Sequence, residues 1–423
     1  MLFICLTQKG SVQLCFGAKM RNNANISVLH HENCCGCRAC GDVCPSKCIS
    51  FVADKEEFIY PVIDESACIS CGKCQKVCPA INQSYHAPAK KAIAAFAYNQ
   101  EQRNAGSSGG LFGLLAIEII ERSGKVWGAA FDDKLNVRHQ CASSIKELAP
   151  LMRSKYVQSN TSDIYTRIAK DIKDGILTLF SGTPCQCNAI RNVVGPTNLL
   201  ITIEVVCHGV PSQSLFNQSI EWLEHRTGCK VTSFVFRSKY KNALHPHAFS
   251  YVCNSGNKEK TIHGLHYQFP FYFGFQKSIT LRPSCYRCQW ADPKRVADLT
   301  LGDFWGIERY AQNLNSKTGT SMVLANTREG KHLLETLLNK GLIHAEAFPV
   351  EIAIRHNGCL CAPTELKLER ACFFEALSKE PFDAVVNRFL VPRRKWIFDL
   401  YYGLPGFLRK FVRRVMDKRM KYE

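Results

Sequence analysis

Twenty-three cysteines are spread along this chain of 423 residues, and eight of them fall into one pattern written twice. The first copy is Cys34-x-x-Cys37-x-x-Cys40-x-x-x-Cys44-Pro45, and the second is Cys68-x-x-Cys71-x-x-Cys74-x-x-x-Cys78-Pro79. Three closely spaced thiolates on a compact loop suit three corners of an iron–sulfur cube, and the fourth reaches across to the neighbouring cube. One 4Fe–4S cluster is therefore expected on Cys34, Cys37, Cys40 and Cys78, and a second on Cys68, Cys71, Cys74 and Cys44. A zinc site usually stops at four ligands in paired sets, and a disulfide framework imposes no such register. Cys35 and Cys48 are extra to the pattern and read as small buried hydrophobes beside the clusters.

A further C-x-x-C, Cys285 and Cys288, is in a reduced setting either a redox dithiol or half of a metal site. Cys185, in SGTPCQ, and Cys207, in CHG, can supply the other half. A third 4Fe–4S cluster on Cys185, Cys207, Cys285 and Cys288 is expected, with a redox-active disulfide as the alternative. Cys187 stands close enough in sequence to compete for the Cys185 corner. Cys359-x-Cys361 reads as a loop with two incidental thiols. His245, His247, His263 and His266 match no zinc spacing and read as core or surface residues.

The elements that must position these residues follow from periodicity. Asn82–Lys91 is a polar linker. Ala92–Tyr98 reads as a strand, Leu111–Arg122 as a helix and Lys125–Phe131 as a strand. The Gly106–Gly110 loop ahead of that helix would offer backbone N–H groups to a phosphate, though an ordinary cap has the same appearance. No G-x-G-x-x-G follows an early strand, so a dinucleotide would be held another way. Gly175–Phe180, a helix to about Val193 and Leu199–Val206 form a βαβ-like unit. It puts Cys185 and Cys207 at strand carboxyl ends, the edge of an open α/β sheet where ligands bind. A short helix is expected over Lys331–Lys340.

Length allows two or three domains with a sizeable core, and the hydrophobic share of 46% is that of a globular protein. Thiolates that hold iron need a reducing compartment, which points to the cytoplasm. No apolar run is long enough to span a membrane. Residues 1–25 make a poor signal peptide and read as a disordered extension, or as residues preceding a true start at Met20. Two clusters of about −2 each would offset about four units of the formal +18. The remaining charge favours an acidic partner, such as a ferredoxin or another electron-transfer subunit, or an anionic cofactor. No nucleic-acid-binding motif is present. The tail alternates basic and aromatic residues, as in Arg393, Arg394, Lys395 and Trp396. That pattern fits peripheral contact with an anionic membrane surface, or a helix on its own domain with a solvated basic face.

The chain resembles the coenzyme F(420) hydrogenase/dehydrogenase beta-subunit family, preceded by a two-cluster ferredoxin domain. The matching stretches are SSGG at Ser107–Gly110, SKYVQS at Ser154–Ser159, SGTPCQ at Ser181–Gln186 and CHGVPS at Cys207–Ser212. FRSK at Phe236–Lys239, RPSCYRC at Arg282–Cys288 and DLTLGDFWG at Asp298–Gly306 complete the set. The resemblance implies an iron–sulfur flavoprotein oxidoreductase carrying FAD. It assigns Ser107, Ser108, Gly109, Gly110, Ser154, Lys155 and Tyr156 to the flavin pocket, with Lys155 near an anionic flavin group. Thr183 and His208 would line the junction between flavin and cluster. Relatives act on a deazaflavin, a chlorophyll derivative, a disulfide or sulfite, so the small-molecule substrate is left open. The alternatives are a non-catalytic electron-transfer subunit, including one serving a surface-polysaccharide pathway, and a structural zinc protein. The expected fold is α/β plus α+β. It comprises an extension (1–25), a two-cluster ferredoxin domain (26–82), a mixed-sheet flavin and iron–sulfur domain (92–350) and a helical basic C-terminal region (351–423).

Overall fold

A computed structural model describes residues 25–239, 247–255, 258–314 and 318–404, together with 408 and 412. The expectations for residues 1–24, for His245 and for most of the basic tail lie outside the described residues.

The two cysteine motifs fold alike. In each, a residue in the left-handed region, Arg38 (φ 61°) or Gly72 (φ 71°), turns the chain into a short helix, Ala39–Asp42 or Lys73–Val77. The third cysteine of each motif, Cys40 or Cys74, thereby sits in the first turn of a helix. Strands β1 (Ile49–Ala53) and β2 (Ile59–Ile63) pair antiparallel between the motifs. Asp54 shapes their turn by accepting the N–H of Glu56 at 3.0 Å and of Phe58 at 2.9 Å.

The larger body is built on an eight-stranded sheet. Its strands are β3 (Lys91–Ala97), β4 (Lys125–Phe131), β5 (Val137–Ala142), β6 (Thr178–Gly182) and β7 (Leu200–Val205). Strands β8 (Lys230–Phe236), β9 (Ala248–Ser255) and β10 (Lys258–Leu265) form a separate antiparallel sheet. Then β11 (Leu299–Asp303), β12 (Ser321–Ala325) and β13 (Ile343–Pro349) return to the first, whose order is β13-β3-β12-β11-β7-β6-β4-β5. Strands β4, β6, β7 and β11 are parallel neighbours. Two antiparallel steps through β12 bring β3 into the same direction. Their carboxyl ends thus share one edge, where Phe131, Thr183, Val206 and Phe304 leave the sheet.

The helices Leu111–Glu121 and Arg328–Asn339 cover one face of this sheet. Leu333, Leu334 and Leu337 of the second are buried, each contributing about 1.5–3 kcal/mol relative to exposure. The other face carries Ile164–Lys173, Pro184–Val194 and the ferredoxin unit, whose Cys35, Cys37 and Val77 join the core with Tyr165, Phe180 and Ile190. The lock between the two is polar as well as apolar. Helix Ile164–Lys173 has no cap from its own Asp163. Asp42 caps it instead, accepting Tyr165 N–H at 2.8 Å and Thr166 N–H at 3.2 Å.

The element boundaries move slightly from expectation. Strand β6 starts at Thr178 because Gly175 (φ 80°) and Ile176 still close the preceding helix, donating to Ile172 and Asp171 carbonyls. The helices Glu369–Lys379 and Phe382–Phe389, expected within a C-terminal region, pack in the same core as Phe216, Phe236 and Phe271. Arg370 also pairs with Glu56 of the ferredoxin unit. Helix Lys395–Gly403 is peripheral, with Trp396 65% and Leu400 60% exposed. Among the described residues, no helix is long and apolar enough to cross a membrane.

Candidate functional site

The ferredoxin thiols gather in two groups, and the fourth cysteine of each motif sits with the other motif's three. Burial and the charges of Cys34, Cys78 and Cys74 push the Cys40 thiol well up. Burial, with Cys34 and Cys74, takes Cys78 to about 11. Cys37 feels Cys78 and Cys40. The inner group is therefore Cys34, Cys37, Cys40 and Cys78. Cys44, Cys68, Cys71 and Cys74 line one pocket at the far end of the unit, where Cys71 is exposed. Cys48 is buried and lies 3.5 Å from Cys44.

A third group assembles at the carboxyl edge of the large sheet. Pro184 and the capping Thr183–Gln186 contact (3.0 Å) start the helix Pro184–Val194, so Cys185 occupies its first turn, as Cys40 and Cys74 do in theirs. Cys207 follows β7, and Cys285 and Cys288 come from the turn Pro283–Arg287 and its end. Burial pushes Cys207 well up, and Cys285, Cys185 and Cys288 add to the shift. Cys285 rises to about 12 through burial and Cys288, and Cys288 to about 11 through burial and Cys185. Four half-buried thiols close enough to oppose one another's ionisation fit a polycationic core that would hold all four as thiolates. Among the described residues, no group of three or more His, Cys, Asp or Glu is gathered as a single metal ion requires. Cys187 does not compete for the corner, because its thiol is buried and bonds to the Ile203 carbonyl at 3.6 Å. Cys35 does more than fill space: it lies beside Cys185 and, with burial, raises the Cys185 thiol.

At the end of β4 opens a cavity of about 490 Å³, within the usual range for small-ligand sites. Gln102, Phe131, Arg153, Ser154, Lys155 and Phe236 are among its lining residues. Its electrostatics are unusual. The Lys155 ammonium donates hydrogen bonds to the carbonyls of Pro150 (2.6 Å), Met152 (2.6 Å) and Arg153 (3.3 Å). Arg153 bonds to Ala105 and Asn104 carbonyls, Arg103 to Gly319, and Lys239 to Arg103 and Ser108. None of these four cations has a carboxylate partner among the described residues. Burial and Arg153 push Lys155 down to about 7. Burial, with Arg103, Arg153 and Arg237, takes Lys239 to about 7 as well. Such a cluster is unfavourable until an anion shares it.

The sequence-predicted loop contributes differently from expectation. Gly109 spends its N–H on Ser321 Oγ at 2.9 Å. A Cβ there would lie 2.4 Å from the Ala95 carbonyl, so this glycine serves close packing and offers no free donor. Gly110 (φ 86°) turns the chain into helix Leu111–Glu121. Ser107 Oγ accepts the Ser154 N–H at 2.9 Å, and the carbonyls of Ser107 and Ser108 accept Arg237 and Lys239. The cations supply the positive potential in place of the backbone N–H groups.

An aromatic file connects the pocket region to the third thiol group. His208, next to Cys207, packs on Phe275 at 5.1 Å; Phe275 stacks on Tyr156 at 4.7 Å; and the Tyr156 hydroxyl accepts Arg237 at 3.3 Å. Arg237 is forked onto Asp303 at 2.6 and 2.9 Å. Burial disfavours both charges, yet each holds the other ionised, with Arg237 well up and Asp303 down. Thr183 Oγ1 lies 3.0 Å from Cys185 Sγ, and His208 bonds to Ser278 at 2.9 Å, with Cys359 at 3.8 Å on its other nitrogen. His247 is half-buried against Trp305 and falls to about 3 through desolvation, Arg237 and His266. Arg103, Arg153, Arg237 and Lys239 were not among the expected site residues; the sequence signal for the last two was the FRSK stretch.

Residues 177–351 match a family model that describes the C-terminal part of the beta subunit of coenzyme F(420) hydrogenase/dehydrogenase. Residues 33–81 and 60–108 each match a 4Fe–4S dicluster domain. Residues 177–351 thus carry the C-terminal domain of this beta-subunit family, and the dicluster matches make the chain an iron–sulfur protein. Among solved structures, it is similar to a chain of the xenon-derivatised F(420)-reducing NiFe hydrogenase complex from Methanosarcina barkeri. The identity is 15% and the TM-score 0.41, over 64% of this chain and 86% of that one. A search of curated proteins finds no match.

Proposed function

We propose that this chain is an oxidoreductase subunit that holds two ferredoxin-type clusters, a third on Cys185, Cys207, Cys285 and Cys288, and FAD in the cation-lined cavity. The observation that carries the reading is a four-thiol group at the sheet edge linked through His208, Phe275 and Tyr156 to a cavity lined by Arg153 and Lys155, with Arg103 and Lys239 near them and no carboxylate partner on any of the four among the described residues. FAD bound there would supply exchange between one-electron and two-electron chemistry. Arg103, Arg153, Lys155 and Lys239 would hold its pyrophosphate, and Phe131 and Phe236 would exclude water from the cavity wall. Tyr156, fixed between Phe275 and Arg237, would position the inner end. Lys155 and Lys239 would take up protons as the anion bound, since each sits near neutrality without one. The exposed Cys71 end is the natural contact for a ferredoxin or another electron-transfer subunit.

The test is cofactor content on anaerobically purified protein: iron, labile sulfide, zinc and extractable flavin per chain. About twelve irons with one FAD are expected. About eight irons and no flavin would reduce the chain to a dicluster electron-transfer module, and zinc in place of iron would make it a structural metal protein.

A further inference from the structure

Arg282 is fully buried, and among the described residues no carboxylate pairs with it. The neighbouring buried arginines differ: Arg295 lies on Glu204, and Arg370 on Glu56. A guanidinium withdrawn from water without a counter-charge is strongly unfavourable. Its hydrogen bonds are satisfied, by the carbonyls of Cys34 at 2.7 Å and Ile59 at 3.0 Å and by Gln158 Oε1 at 3.0 Å. Tyr60 lies under it at 4.1 Å. These contacts fix the group but leave its charge unbalanced.

Two anionic neighbours could balance it. The side chain clamps the Cys34–Cys37 loop of the inner ferredoxin group. Gly36 (φ 69°) has no room there for a side chain, since a Cβ would lie 2.8 Å from the guanidinium. The backbone of Arg282 meanwhile belongs to the third thiol group. Its N–H donates to Val210, three residues beyond Cys207, and its carbonyl accepts Cys285 N–H at 2.9 Å. Resting on the three-cluster reading above, we propose that Arg282 is the shared counter-cation of the two inner clusters, raising both reduction potentials while tying their loops together. A cluster potential responds to nearby charge and hydrogen bonding, and Arg keeps its proton at any working pH. The outer group around Cys71 lies beyond this clamp.

The experiment is redox titration of the holoprotein followed by electron paramagnetic resonance, with iron and sulfide counted on each variant. Arg282→Gln is expected to keep its iron while two of the three cluster potentials move negative and the third stays. Arg282→Lys, which retains the charge, is expected to restore most of the shift. Should Arg282→Gln fail to fold, Gln158→Glu places a carboxylate against the guanidinium and should move the same two potentials negative. Unchanged potentials at full iron, or an equal shift in all three, would overturn the proposal while leaving the three-cluster reading intact. About eight irons in the wild type would instead remove the reading on which it rests.

Discussion

Cys35, between two cysteines of the first ferredoxin motif, lies beside Cys185, in the first turn of the helix that follows β6, and raises its thiol. One residue therefore joins the inner ferredoxin group, through Cys37, to the third thiol group. This contact makes the ferredoxin unit part of the larger body, and several neighbours reinforce it. Thr161 and Tyr165 both donate to the Cys37 carbonyl, at 2.6 and 2.8 Å, and Gln158 donates to Cys35 at 3.0 Å.

Cys35 is placed as a neighbour of ligands, outside either set of four. Cys35→Ala is expected to leave iron and labile sulfide unchanged, whereas Cys185→Ala should lower iron by about four per chain. Equal losses in the two variants would make Cys35 a ligand and displace the assignment at that corner.

Cys285 and Cys288 separate two chemistries cleanly. Replacing both with Ser should remove about four irons and leave the ferredoxin clusters. If iron is unchanged and a reversible dithiol disappears, the pair is a redox disulfide, and the third cluster is excluded.

Much of this arrangement was legible in the sequence, and the boundary of legibility has a physical cause. The doubled cysteine spacing is local, so both ferredoxin groups and the crossover of Cys44 and Cys78 could be read from it. The strands that end near Cys185 and Cys207 announced themselves as apolar runs. What could not be read was long-range geometry. Nothing local says that Cys35 meets Cys185, that Asp42 caps a helix of the other domain, or that Arg103, Arg153, Lys155 and Lys239 converge. Gly109 shows the converse hazard: a Ser/Gly loop before a helix suggested a phosphate cradle, and tertiary packing against Ala95 and Ser321 used its donor instead.

Asp42 supplies the cap that helix Ile164–Lys173 lacks, so the two domains should be thermodynamically coupled. Asp42→Ala is expected to cost about 1 kcal/mol, read as a lower midpoint in denaturant. The loss should be the same whether unfolding is followed by cluster absorbance or by tryptophan fluorescence. A change confined to the cluster signal would mean that the ferredoxin unit unfolds independently.

The lowered lysines predict a pH dependence whose sign is fixed. In the unfolded chain Lys155 holds its proton up to about 10.5; in the flavin-free fold it releases it near 7. Between these values the unfolded state binds more protons, so stability rises with pH, and the full penalty is present below 7. Flavin-free wild-type protein should gain stability from pH 7 to 9 relative to Lys155→Met, and added FAD should flatten the difference. A wild type that loses stability relative to the variant over that window would contradict the placement of an unbalanced cation there.

The C-terminal helices divide into a structural part and a dispensable one. Val385, Val386, Phe389 and Leu390 are buried in the core with Phe216 and Phe271, each contributing about 1.5–3 kcal/mol. Helix Lys395–Gly403 touches the body mainly through Phe398 beside Tyr267 and the Tyr267–Asp399 bond of 2.9 Å, and presents Trp396 and Leu400 to solvent. A chain ending after Pro392 should therefore keep its iron and flavin and melt within a few degrees of the full chain. One ending after Glu380 loses several such side chains, more than a marginally stable fold can spare, and should not accumulate as folded protein. Flotation with anionic liposomes then reads the exposed Trp396 face. Binding by the full chain that vanishes on ending it after Pro392 would assign that face to a membrane surface, whereas no binding by the full chain would leave it a solvated basic helix.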